Sequence, residues 1–176
     1  GSLIQSTCII AVWASFLYFR ELGISIGLFG VLFALFQLAG AFGARQSHAI
    51  VRRIGFGKAI ALPLAIGPIF LAMGAFRSLF LLPFIILIAF LWNIQYPIIL
   101  DLINRRIDSD VRATALSVSA MAGSLSYVIL APIFGKLVDV LSLSAAFLIL
   151  GGYFLVYGAI ALVPILRNTS EPASAD

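Results

Sequence analysis

The 176-residue chain is poor in charge: 10% of its residues are Asp, Glu, Lys or Arg, whereas 62% are hydrophobic. Soluble domains are about 45–50% apolar and about 25% charged, so this chain has too little polar surface to coat a soluble globule. The net charge is only +4, and the basic residues stand in short clusters between long apolar runs. A reader of DNA or RNA needs a basic stripe on an exposed polar surface, so we exclude nucleic acid as a partner.

Cysteine and histidine are also scarce, with one of each, Cys8 and His48. One cysteine cannot form an intramolecular disulfide, and without clusters of His, Cys or carboxylates a metal has no ligands. An intramembrane protease needs a nucleophile and a base within the bilayer. His48 falls in a loop, and the sequence has neither a Gly-x-Ser-Gly motif nor a pair of aspartates in the middle of a span. We therefore expect no enzyme, no metal and no cofactor.

Long apolar runs dominate the sequence instead. A membrane-spanning helix needs about 20 apolar residues, because the hydrocarbon core is about 30 Å thick and a helix rises 1.5 Å per residue. Six segments meet this length, the first only just. They are Leu3–Phe19, Ile24–Ala44, Gly57–Phe76, Leu79–Leu100, Ala113–Gly135 and Leu143–Leu166. We predict an all-α, multi-pass membrane protein, with a six-helix bundle over residues 1–166 and a disordered polar tail over residues 167–176.

Lys and Arg are distributed unequally between the two sides of this topology. Eight lie on the side of the even-numbered connections and the tail, and three lie on the opposite side. The first group is Arg45, Arg52, Arg53, Lys58, Arg105, Arg106, Arg112 and Arg167, and the second is Arg20, Arg77 and Lys136. Basic loops stay in the cytoplasm. We therefore expect both termini to be cytoplasmic, in a cell membrane.

Polar side chains within the spans fall on the first, second, fourth and fifth helices, whereas the third and sixth are nearly bare. Polar groups in hydrocarbon are costly unless they face protein or water, so we infer that these four helices line a pathway. A single serine could instead bond back to its own helix. No charged residue lies near the middle of a span. The predicted pathway residues are Gln37, Asn93, Tyr96, Ser117, Ser124 and Tyr127.

Three stretches carry a family resemblance. They are Leu22-Gly23-Ile24-Ser25 with the glycines that follow, the basic loop Arg52–Lys58, and Asp110–Ser117 continuing into Ala131–Asp139. Together they resemble the C-terminal half of a major facilitator superfamily transporter. The chain departs from the family pattern at Gly43-Ala44-Arg45, which lacks the aspartate that often follows this glycine.

The resemblance implies two six-helix halves, each a pair of inverted three-helix repeats, with substrate held between the halves near the midplane. The seventh, eighth, tenth and eleventh helices of the family line the cavity, which matches the four polar helices here. The cytoplasmic residues to which we assign gating by ion pairs are Arg52, Arg53, Lys58, Asp108 and Arg112. For Asp108, capping of the fifth helix is the favoured interpretation, and a gating salt bridge with a nearby arginine is the alternative.

The function predicted from these features is secondary active transport of a small solute by alternating access, with efflux of drug-like organic compounds as a weak preference. The chain has no initiator Met and its first span is short, so we expect a longer protein whose N-terminal six-helix half is missing here. One alternative is a six-span scaffold or sensor subunit that transports nothing. Another is a six-span carrier that works as a homodimer.

Overall fold

The computed structural model describes the backbone of residues 2–106 and 109–170, and the side-chain surroundings over most of residues 9–160. Within these ranges the chain is helical apart from short connections, and no strand occurs. The helices are α1 (Ser2–Glu21), α2 (Ile26–Ile54), α3 (Phe56–Ala61), α4 (Ile66–Ala75), α5 (Leu82–Arg106), α6 (Ser109–Val140) and α7 (Leu143–Ser170). Short 3₁₀ segments, Leu62–Ala65 and Leu79–Leu81, join α3 to α4 and precede α5.

Five helical stretches are long and apolar enough to cross a membrane. They are Ile26–Ile54, Phe56–Ala75, Leu79–Asp101, Asp110–Val140 and Leu143–Ile160. α1 has 20 residues, which at 1.5 Å per residue gives about 30 Å, the length of a sixth span. The described residues therefore fit an all-α membrane protein, as the sequence predicts.

The helix bounds differ from the predicted spans in several places. α2 continues ten residues past Ala44, to Ile54, and ends where Gly55 takes a φ of 85°, a left-handed value that glycine adopts easily. The third span is interrupted by the 3₁₀ segment that contains Pro63, since proline has no N–H to continue an α-helix. α7 extends past Leu166 to Ser170.

The helices pack mainly as three pairs: α1 with α6, α2 with α5, and α4 with α7. α2 and α5 run in the same direction. Gly43 on α2 faces Phe90 on α5, and Ile50, two turns later on α2, packs against the cluster that contains Ile98, about two turns later on α5. α4 and α7 run in opposite directions, as the contacts of their glycines show. No pair therefore joins consecutive spans.

Glycines and leucines interlock reciprocally between the third span and α7. A Cβ placed on Gly67 would lie 2.6 Å from Leu155, and one on Gly151 would lie 2.9 Å from Leu71. The exchange repeats nearby, where Gly74 meets Leu148 and Gly158 meets Leu64. The same pattern, Leu-x₂-Gly-x₃-Leu-x₂-Gly, thus occurs twice, at Leu64–Gly74 and Leu148–Gly158. The two helices approach closely because each has a glycine, which has no side chain, where the other presents a leucine.

The side chain of Phe147 on α7 connects four helices. Its ring, fully buried, lies 6.0 Å from Tyr18 on α1, 6.3 Å from Phe70 on α4 and 6.0 Å from Phe134 on α6. Two of these contacts are edge-to-face, the favoured geometry for aromatic pairs. This aromatic group holds α1 and α6 against the α4–α7 pair.

The end of α1 is fastened to the connection between the third and fourth spans. Tyr18, with 1% of its surface exposed, donates its hydroxyl proton to the carbonyl of Phe76 at 2.8 Å and accepts from the N–H of Ser78 at 3.2 Å. Beside it, Glu21 pairs with Arg77 at 3.2 Å. We call Tyr18, Glu21, Phe76, Arg77 and Ser78 the α1 clamp.

We expect Gly43→Ala to destabilise the bundle by roughly 1–3 kcal/mol, because a Cβ there collides with the backbone carbonyl of Phe90. Gly30 lies on the same helix with nothing within 4 Å of its Cβ position. Gly30→Ala is therefore the control and should change stability by less than about 1 kcal/mol. Denaturant titration of the purified protein in detergent measures both, and equal effects would contradict the close contact.

Tyr18→Phe should cost about 1 kcal/mol, because a carbonyl and an N–H both lose their partner. Tyr96→Phe removes a hydroxyl that has no described hydrogen bond and should leave stability unchanged. The same titration applies. A Tyr18→Phe variant as stable as the parent would show that the α1 clamp contributes nothing.

Candidate functional site

The predicted pathway residues lie on two separate helix pairs. Gln37 and Tyr96 belong to the α2–α5 pair, with Asn93. Ser117, Ser124 and Tyr127 belong to α6, which packs against α1 and α7. α1 touches α2, α5 and α6, so it stands between the two groups.

Four of the six predicted residues are exposed on the surface of the bundle: Gln37, Tyr96, Ser117 and Ser124. Gln37 and Ser124 fall near the middle of their apolar segments. A hydrogen-bonding side chain at that depth is costly if it faces lipid. Protein or water beside Gln37 would remove this cost, whereas a serine can also bond back to its own helix.

The exposed surface of α6 is chemically mixed. Ser117 and Ser124 are seven residues apart, which places them on one side of the helix. Met121 and Val128, 67% and 63% exposed, each follow one of these serines by four residues and share that side. The two serines therefore stand among apolar side chains.

Asn93 takes part in helix packing. It is half-buried, and its amide donates to the carbonyl of Ala89, one turn earlier on α5, at 2.9 Å. The same amide nitrogen would lie 2.7 Å from a Cβ at Gly40 on α2. The side chain therefore fills the gap that Gly40 leaves between the two helices.

Tyr127 is half-buried and packs against the main core. The neighbouring Ser126 donates its hydroxyl to the carbonyl of Ala122 at 2.7 Å, which is the back-bonding that serines often make in helices. On α6, Ser117 and Ser124 are exposed, as are Thr114 and Ser119.

The predicted cytoplasmic residues lie at the ends of α2, α3 and α6. Arg52, Arg53 and Lys58 are exposed. Arg112 is half-buried and already engaged by other groups. Asp108 lies outside the described residues.

A narrow cleft of about 10 Å³, room for about one water molecule, lies where α1, α2 and α5 meet. Its walls are apolar, and the one hydroxyl among them belongs to Ser15, which is 4% exposed. Around it, the ring of Phe16 stacks within 6.1 Å of Phe19, Phe29 and Phe33. None of the six predicted residues lines this cleft. Polar residues alone do not predict this cleft. The sequence signal for it is the helical spacing of Phe29 and Phe33 and of Phe16 and Phe19, which indicates aromatic faces on α2 and α1.

The helices differ in how much the bundle covers them. In the apolar windows of the third and sixth spans, 44% and 41% of residues are buried, against 17% for α2 and 6% for α6. α2 and α6, which carry the exposed Gln37 and Ser124, therefore have the smallest buried shares among these spans.

The described residues contain no group of three or more His, Cys, Asp or Glu side chains that could hold a metal ion. Comparison with protein-family models, curated proteins and solved structures finds no match to the chain.

Cysteine labelling tests whether Ser117 and Val118 on α6 differ in their contact with water. In a Cys8→Ser background, we expect Ser117→Cys to react with a water-soluble maleimide in membranes and Val118→Cys to react at least tenfold more slowly, because thiols react as thiolates in contact with water. Both positions are exposed in the bundle, so bundle packing alone gives equal rates. Equal rates in the membrane would contradict a more water-exposed environment at Ser117 than at Val118.

Proposed function

We propose that the chain is the C-terminal half of a major facilitator superfamily transporter, which moves a small organic solute by alternating access. α1, α2, α5 and α6 line the solute pathway, and a second six-helix bundle covers their open side. The protein acts as a carrier and not as an enzyme. It sits in the cell membrane with both termini in the cytoplasm.

The observation that carries this proposal is the exposure of Gln37 and Ser124 at mid-membrane depth on the two least covered helices. A scaffold that met lipid on these faces would leave both side chains without partners in hydrocarbon. A water-filled pathway between two bundles supplies them with partners. It also leaves the large apolar side chains one position away in contact with lipid.

Helix pairing supports the proposed inverted repeat. If each of the first three spans is exchanged for the corresponding one of the last three, the pair α1–α6 becomes the pair α5–α2. The third and sixth spans exchange places and remain paired with each other. The reciprocal Gly–Leu contacts obey the same exchange. Because the third and sixth spans are antiparallel, the exchange axis lies in the membrane plane, as an inverted repeat requires.

Exposed aromatic surface on α1 and α2 supports an organic solute with an apolar part. Trp13 and Phe33, 60% and 40% exposed, both contact the ring of Phe16, and aromatic rings bind apolar groups well. With no described charge at mid-span, hydrogen bonds from Gln37 and Ser124 would orient the polar part. This favours neutral, ring-containing solutes over ions.

Transport by the full-length natural protein is the decisive test. Proteoliposomes should take up or release members of a panel of radiolabelled neutral aromatic solutes. Ser124→Leu should reduce the rate at least tenfold, because it replaces a hydrogen-bonding group with bulk at the centre of the pathway.

Leu125→Ile is the matched control, because Leu125 is 60% exposed and is displaced about 100° from Ser124 around the helix. It should transport at the parental rate. If both variants transport like the parent, the assigned lining is wrong. If no solute moves although the protein inserts correctly, a scaffold or sensor role replaces the transporter.

A further inference from the structure

The end of α2 carries an unusually uniform exposed surface. From Arg45 to Lys58 the exposed residues are all basic or histidine, except for Ile54 and Gly55. We name this set the basic collar: Arg45, His48, Arg52, Arg53 and Lys58. The opposite side of the same stretch, including Ser47 and Val51, packs into the bundle. The cations therefore point outward from a helix that is firmly held.

None of the described residues is an acidic partner of the basic collar. The sequence has no Asp or Glu between Glu21 and Asp101. Among the described residues, no ion pair involves a member of the basic collar. Glu21 is already paired with Arg77. The positive charge of the collar is thus available to an anion from outside the described chain.

The collar stands at a defined height relative to the bilayer. α2 has 29 residues, or about 44 Å at 1.5 Å per residue, against about 30 Å of hydrocarbon. Its apolar part ends at Ala44, so Arg45 begins where the hydrocarbon ends. The headgroup layer is roughly 5–8 Å thick on each side. His48 therefore falls within that layer and Arg52 about one turn beyond it, within reach of a flexible side chain.

We propose that the basic collar binds the phosphate groups of anionic phospholipids in the adjoining leaflet. Arg45 and Arg52 are seven residues apart, on one side of the helix and separated by about 10 Å. This spread suits several headgroups side by side and not a single small anion. Ile54, 39% exposed among the cations, adds an apolar contact to the lipid surface. Juxtamembrane clusters of four or more Lys and Arg attract anionic lipid in this way.

The proposal is tested on the purified full chain in micelles with equal amounts of phosphatidylcholine and phosphatidylglycerol. Native mass spectrometry counts the lipids retained by each protein. The parent should retain phosphatidylglycerol in several-fold excess. Arg45→Gln with Arg52→Gln should lower the preference about fivefold per arginine, and Arg45→Lys with Arg52→Lys should keep most of it. Salt at 1 M should weaken the preference through screening.

The matched control removes two exposed cations from the other end of the bundle, Arg20→Gln with Lys136→Gln, and should keep the preference. Equal loss in both double variants would mean that net charge alone acts, which overturns the proposal. So would a parent with no preference, or an unchanged glutamine variant. Inorganic phosphate should fail to displace the lipid; efficient displacement would indicate a free-anion site instead. Retention is measured without transport, so failure here leaves the transporter proposal standing.

Discussion

Close contact through glycine is the interaction on which the rest of this structure depends. Within a bilayer there is little hydrophobic force to bring helices together, so packing depends on how nearly their backbones can approach. Gly67, Gly74, Gly151 and Gly158 give the third and sixth spans that approach, and Gly43 does so for α2 and α5. Phe147 then joins α1 and α6 to the α4–α7 pair. The proposed rocking against a second bundle requires these helices to move as one body, and contacts of this kind would hold them together.

The distribution of polar groups follows from the same packing. Where two helices meet closely, polar groups are used internally, as with Asn93 over Gly40. Where the bundle leaves a helix uncovered, Gln37 and Ser124 stay open for external partners. The distinction between these two kinds of polar residue depends on neighbours that lie far away in the chain.

Much of this organisation is visible in the sequence. Run lengths predict the spans because the bilayer sets a minimum length, and Gln37, Ser117 and Ser124 are recognisable because polar groups are rare in hydrocarbon. The fate of Asn93 was not predictable, since it requires knowing that Gly40 lies opposite. The extension of α2 was not predictable from hydropathy, because its last turns are polar and amphipathic. Hydropathy marks the part of a helix that lies in the membrane and not where the helix ends. The doubled Leu-x₂-Gly-x₃-Leu-x₂-Gly pattern was present in the letters, but its meaning depends on which helices meet.

Pairing between distant spans also has a consequence for synthesis. α1 packs chiefly against α6, and roughly 100 residues separate them in the chain. At about 5–20 residues per second, α1 waits some 5–20 s for its partner to emerge from the ribosome. During that interval Tyr18 can meet Phe76 and Ser78 but not Phe147, and the side of α1 that α6 covers lacks its native neighbour. We therefore expect biogenesis to depend on a protected site beside the translocon, where early helices are held until the later ones arrive.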